Sequence, residues 1–216
     1  MRERFENQLR ELNLKLLKMG VLVLDIIEEA VQSLVNQDLE RAEKIYQMDD
    51  QIDALELELE NECMKLLALQ QPMARDLRVI GTIMKIITDL ERMGDHAVNI
   101  AKVTIKIGDE PLIKPLVDIP RMAKLSQTMV NKSLDAFMRS DIHLAEEVAH
   151  DDEAVDEIYE KIYIELIEMI IEDPSITKQA THLLFIGRYL ERIADHATNI
   201  GERVIYMVTG ERVEIN

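Results

Sequence analysis

One stretch of this chain is written twice, 100 residues apart: Asp89–Ala101 reads DLERMGDHAVNIA and Tyr189–Gly201 reads YLERIADHATNIG. Each copy carries Glu, then Asp four residues on, then Asn four further on: Glu91, Asp95, Asn99 and Glu191, Asp195, Asn199. A second series repeats at an offset of 103, with Asp38, Ala42, Asp49 and Asp53 answered by Asp141, Ala145, Asp152 and Asp156. A chain of 216 residues that repeats itself over so long a span folds as two like units. Two units are too few for an open solenoid, so the halves pack on each other or on a second copy.

The repeated unit is helical. Phe5, Leu9, Leu12, Leu16, Met19, Val23, Ile26, Ile27, Ala30 and Leu34 recur at steps of three and four, predicting one helix over 2–35. Asp38 is placed to cap a second helix over 39–69. Gln70-Gln71-Pro72 breaks the pattern, and Pro72 suits the first turn of a third helix ending near Ile107. Gly108-Asp109-Glu110-Pro111, with Pro115 and Pro120 beyond, reads as a linker. A fourth helix over 121–138, with a start before Pro120 left open, a fifth reaching Ile171 and a sixth over 175–208 follow. Asp141 and Asp173-Pro174 mark the starts of the last two, and Gly210 follows the end of the sixth. Short connections between long helices imply antiparallel neighbours. The expected fold is all-α: a tandem duplication of a three-helix bundle, with halves 1–110 and 111–216.

At ~100° per residue, positions four apart stand ~40° apart around a helix. Ile80, Met84 and Ile87 all fall close to the line of Glu91, so Glu91 extends a buried stripe, and Asp95 and Asn99 drift to its edge. The sixth helix repeats this with Ala180, Leu184 and Gly187 beneath Glu191. Asp49 lines up with Ala42, Ile45 and Cys63, with Asp53 and Glu56 next along; Asp152 lines up with Ala145 and Val148, with Asp156 and Tyr159 beyond. A single pair of acids four apart is ordinary surface in a chain with 42 acidic residues. Four pairs at matching positions are different, because like charges at this spacing oppose the helix and a carboxylate on an apolar stripe needs a compensating partner. A hard cation is the simplest one. Oxygen-only ligands suit magnesium, calcium, manganese or iron better than a structural zinc site. Arg92 and Arg192 offer an internal alternative, although they project ~100° from their Glu.

Other chemistry has thinner support. His96 and His196 lie ~140° from the Glu line, which favours exposure or interhelix contact over ligation. Glu147 and His150 form a lone Glu-x-x-His, where a di-iron carboxylate bundle needs two. Cys63 sits on an apolar face and reads as core. A formal net charge of −17 argues against direct nucleic-acid or anionic-lipid binding. No apolar run is long enough to span a bilayer, and none has signal-peptide form, so membrane contact is expected only through a partner. The single cysteine fits a reducing cytoplasm.

These motifs together resemble the PhoU family of phosphate-uptake regulators across essentially the whole chain. The carrying stretches are Gln70-Gln71-Pro72 with Asp76-Leu77-Arg78, then Leu90-Glu91-Arg92-Met93-Gly94-Asp95 and Leu190-Glu191-Arg192-Ile193-Ala194-Asp195, with the paired Asp-x-x-x-Asp segments. Ala194 departs from the Gly usual there, and its methyl would restrict close approach of a neighbouring helix or metal. The resemblance implies multinuclear metal clusters, iron ahead of zinc, manganese, magnesium or calcium, held by Asp49, Asp53, Glu91 and Asp95 in one half and by Asp152, Asp156, Glu191 and Asp195 in the other. It also implies a non-enzymatic, cytoplasmic, homodimeric negative regulator linking the phosphate ABC transporter, through its ATPase subunit, to the phosphate-regulon sensor histidine kinase. The rival readings are a carboxylate-bridged metal oxidase or phosphohydrolase, and a metal-free structural adaptor.

Overall fold

The first helix ends as the apolar period predicts, at a residue pair that cannot continue it. In the computed structural model, which describes residues 2–70 and 72–215, α1 runs Arg2–Val35 and Gln37 turns left-handed at φ 50°. The Asp38 amide then donates to the Ser33 carbonyl (2.9 Å), and the Asp38 carboxylate accepts the Arg41 amide (2.9 Å) to start α2 (Leu39–Gln70). The second half repeats this turn atom for atom between α4 (Asp118–Arg139) and α5 (Ile142–Glu172). Ser140 has φ 53°, the Asp141 amide donates to the Ala136 carbonyl, and the Asp141 carboxylate caps Leu144. The remaining helices are α3 (Ala74–Ile107) and α6 (Thr177–Thr209), the latter entered through a 3-10 turn at Pro174–Ile176.

Two boundaries, at Pro72 and Pro174, differ from the sequence reading, and a third, left open there, is settled. Pro72 lies ahead of α3 rather than in its first turn, because Met73, in extended conformation, takes the capping position. Gln71 lies outside the described residues. Pro174 opens the 3-10 turn, held by the Asp173 carboxylate accepting the Ser175 amide, so α6 begins at Thr177. Helix α4 starts at Asp118 and carries Pro120 in its first turn, where the missing amide costs nothing.

Helices α1, α2 and α3 pack on one another, as do α4, α5 and α6, and the halves join along α3 with α6 and, more sparsely, α1 with α4. The pairing of α3 and α6 is antiparallel: Asp89 meets His196 and Arg203, while His96 meets Tyr189. One continuous apolar cluster runs through both halves, from Leu12, Leu16 and Ile26 in α1 to Ile186, Leu190 and Ile200 in α6. Helices α2 and α5 touch only their own half and form the outer walls. The linker is pinned rather than loose. Gln37 donates to the Gly108 and Glu110 carbonyls, and the buried Gln179 amide both accepts from Ile113 and donates to Pro111.

Candidate metal centre

The duplicated segments are duplicated in burial as well as in sequence. From Glu91 to Ile100 and from Glu191 to Ile200 the pattern of buried, half-buried and exposed residues is identical position by position. Each Glu sits one residue past a buried Leu and three before a buried Gly or Ala, so its carboxylate is drawn inward; the side chains are 18% and 12% exposed. The Asp95 and Asp195 side chains, one turn on, are more exposed, Asn99 and Asn199 are half-buried, and the Lys102 ammonium donates to Asn99. On the outer walls Asp49 is half-buried, Asp152 is buried, and Asp53 and Asp156 are exposed.

In the first half these acids converge. Asp53, Glu56 and Glu91 each bring one carboxylate oxygen within 4.8 Å of the other two, joining α2 to α3. Asp49 stands against the same crossing: α3 runs so close to α2 at Gly94 that a Cβ there would come within 3.1 Å of the Asp49 Oδ1. Crowding makes the group electrically costly. Burial, and then Asp95, raise the Glu91 carboxyl from its ordinary 4.5 to about 7. Burial, then Asp53 and Asp95, raise Asp49 from 3.8 to about 6. Asp53 and Glu56 are pushed up for the same two reasons. Arg92 does reach this face, contrary to the angular argument: its Nε lies 3.3 Å from Glu91 and its Nη1 3.0 Å from Asp95. The long side chain bends back over its own helix, yet it is 56% exposed and offsets little charge in water.

The second half places Asp156, Glu191 and Asp195 in the corresponding positions but compensates them differently. Tyr159 stands where the first half has Glu56, its ring packed over Gly187 so closely that a Cβ there would meet it at 3.0 Å. Arg188, where the first half has Thr88, donates to Glu191, and Arg192 pairs with Asp195 at 3.0 Å. A built-in guanidinium thus supplies one positive charge to this half. The other Glu191 oxygen, Oε2, is buried with no hydrogen-bond partner, and burial and Asp195 keep this carboxyl high.

The donor set fits a hard cation best in the first half, where three carboxylates meet with only an exposed arginine against them. Glu56, which extends this group, and Asp89, which joins the halves, were both absent from the ligand residues singled out in the sequence. Glu56 lies on the Asp53 line but breaks the repeat, since Tyr159 replaces it. Asp89, buried where the other half has Tyr189, accepts from Arg203 (2.8 Å) and bonds His196 (3.1 Å), tying α3 to α6. His96 and His196 stand 5.8 Å apart on that seam, away from the acidic face, as interhelix contacts. Cys63 is fully buried with its thiol pushed up to about 12, as a core residue should be. Glu147 and His150 pair separately, with Lys132 and Glu153. No described helix is long and apolar enough to cross a membrane.

The family model described as the PhoU domain matches this chain twice, over residues 16–104 and 119–204. A phosphate-specific transport system accessory protein PhoU homolog of Clostridium acetobutylicum is 42% identical over 216 residues, covering 100% of this chain and 99% of the relative. Its counterpart in Aquifex aeolicus is 44% identical over 207 residues, covering 96% and 94%. The crystal structure of PhoU from Pseudomonas aeruginosa superposes with a TM-score of 0.91 at 38% identity, covering 96% of this chain and 100% of that one. The duplicated acidic helices, the double match and the shared fold have one reading: this chain belongs to the PhoU family.

Proposed function

We propose that this protein is a non-enzymatic regulator of phosphate uptake that represses the phosphate-starvation response when phosphate is plentiful. The observation that carries the reading is likeness along the whole chain to proteins named as accessories of a phosphate-specific transport system. On this reading it works in the cytoplasm as a homodimer. It restrains the phosphate ABC transporter through the ATPase subunit and relays that state to the phosphate-regulon sensor histidine kinase. The halves 1–110 and 111–216 act as two copies of one ancestral unit, each presenting its outer acidic wall.

Asp53, Glu56 and Glu91 would hold a metal in the first half, with Asp49 and Asp95 beside them; Asp152, Asp156, Glu191 and Asp195 form the candidate set in the second. A bound cation or cluster there would supply positive charge that offsets the crowded carboxylates and cross-links α2 to α3 or α5 to α6. Support for this comes from the convergence of three carboxylate oxygens and from carboxyls held above their ordinary range by their own crowding. The residues themselves present a charged, rigid two-helix face, a form suited to docking rather than turnover.

Deletion of the gene, read by a phosphate-regulon reporter in phosphate-rich medium, tests the regulatory role. Raised output, restored by the intact gene, is expected; unchanged output overturns the reading. Metal-dependent oxidase or phosphohydrolase turnover lost on Glu91→Ala would instead favour an enzyme.

A further inference from the structure

A second feature lies away from the acidic walls. Between α3, α6 and the segment that follows α6 runs a groove of about 690 Å³, lined by the cations Lys85, Arg203 and Arg212, by Thr82 and Tyr206, and by the carboxylates Glu202 and Glu214. In a chain carrying 42 acidic and 25 basic residues, three cations against two lining carboxylates, with the buried Asp89 behind Arg203, make a locally neutral patch. Of the two lining carboxylates, Glu202 is engaged through Oε1, which accepts the Ile215 amide at 3.1 Å and ties the tail to α6 beside the groove.

The cations are held for use. Arg203 is anchored through Nε by the buried Asp89, which leaves the two Nη groups for another acceptor. Arg212, exposed, lies 6.0 Å over the Tyr206 ring, a weak contact that does not neutralise it. Among the described residues no carboxylate lies within 4.0 Å of Lys85. Thr82 adds an independent sign of a missing partner. It is 3% exposed, and its hydroxyl is buried with no hydrogen-bond partner, whereas Thr88 and Thr104 on the same helix satisfy theirs on a preceding carbonyl. Gly81 keeps the wall open, since a Cβ there would meet nothing within 4 Å.

We propose that this groove binds a small phosphorylated anion, its phosphoryl oxygens received by Lys85, Arg203 and Arg212. Guanidinium forks match phosphate oxygens, Lys85 adds a point charge, and the volume is that of a small-molecule site rather than of a peptide groove. The chemistry is shared by inorganic phosphate and by a nucleotide, and the Tyr206 face would serve the latter.

Calorimetric titration of the full chain with inorganic phosphate and, separately, with ADP tests the assignment. Gly81→Glu adds a carboxylate to the groove wall at a position where the Cβ has open space, and Lys85→Ala removes an exposed charge; circular dichroism verifies that both remain folded. Binding by the wild type that both variants weaken about tenfold or more is expected. Phosphate binding in its own right identifies the free anion as the ligand, and ADP binding without it identifies a nucleotide. No heat with either ligand overturns the proposal. So does binding that Gly81→Glu leaves unchanged but Glu91→Gln abolishes, which would route the anion to the acidic wall. The readout is independent of the reporter assay above, so either can fail without the other.

Discussion

Glu91→Gln should stabilise the metal-free protein, and only at neutral to alkaline pH. In the unfolded chain the Glu91 carboxyl ionises near its ordinary 4.5, whereas in the fold burial and Asp95 hold it up to about 7. Between those values the folded state keeps a proton that the unfolded state has released. The contribution to stability is therefore full below pH 4.5 and is lost as pH rises through 7. The separation corresponds to a penalty of about 3 kcal/mol above pH 7, which the amide, uncharged and of similar shape, does not carry. For a chain of this size that is a rise in Tm of roughly 6–12 °C. Thermal unfolding of chelator-treated protein at pH 8 should show this rise, and at pH 4 the two proteins should melt together. Saturating divalent cation should reverse the order at pH 8, because only the wild type gains from binding. A variant that is less stable than wild type at pH 8 without metal would refute the reasoning, since it would mean that the carboxylate is already compensated within the chain.

Asp89→Ala should lower stability by about 2 kcal/mol or more, because it strips a buried acceptor from Arg203 and His196 at the junction of the halves; an unchanged Tm would contradict the role given to this seam. Arg188→Ala should leave Glu191 without its guanidinium and raise the affinity of the second half for manganese or calcium, read by titration in a Glu91→Gln background. Equal uptake with and without Arg188 would show that the arginine does not compete with a cation. The Cys63 thiol, buried and held up to about 12, should resist a disulfide reagent in the folded protein and react on unfolding; rapid labelling of native protein would count against the packing described.

The helices and the duplication were legible because the signals that carry them are local or repeated. Three- and four-residue apolar steps mark α1, and the Asp38 and Asp141 caps recur with the same hydrogen bonds. Prolines were less informative, since Pro72 and Pro174 each mark an interruption without saying on which side of it the helix starts. The acidic positions emerged from matching one half to the other, and that method is blind where the halves diverge. Glu56 against Tyr159, Thr88 against Arg188 and Asp89 against Tyr189 are such places, and they decide how each acidic wall is compensated and how the halves are joined. Arg92 shows a second limit: a helical wheel gives the direction of Cβ, whereas a long side chain chooses its own partner. The groove of Lys85, Arg203 and Arg212 involves α3, α6 and the tail at once, a conjunction that no periodicity reveals.

The central claim is that carboxylates from α2 and α3 together hold a metal. Elemental analysis of protein purified without chelator, comparing wild type with Glu91→Gln and Glu191→Gln, tests it most directly. The account predicts bound metal in the wild type and a clear loss in Glu91→Gln, with a smaller loss in Glu191→Gln because Arg188 already serves that carboxylate. Metal content equal in all three proteins would contradict it.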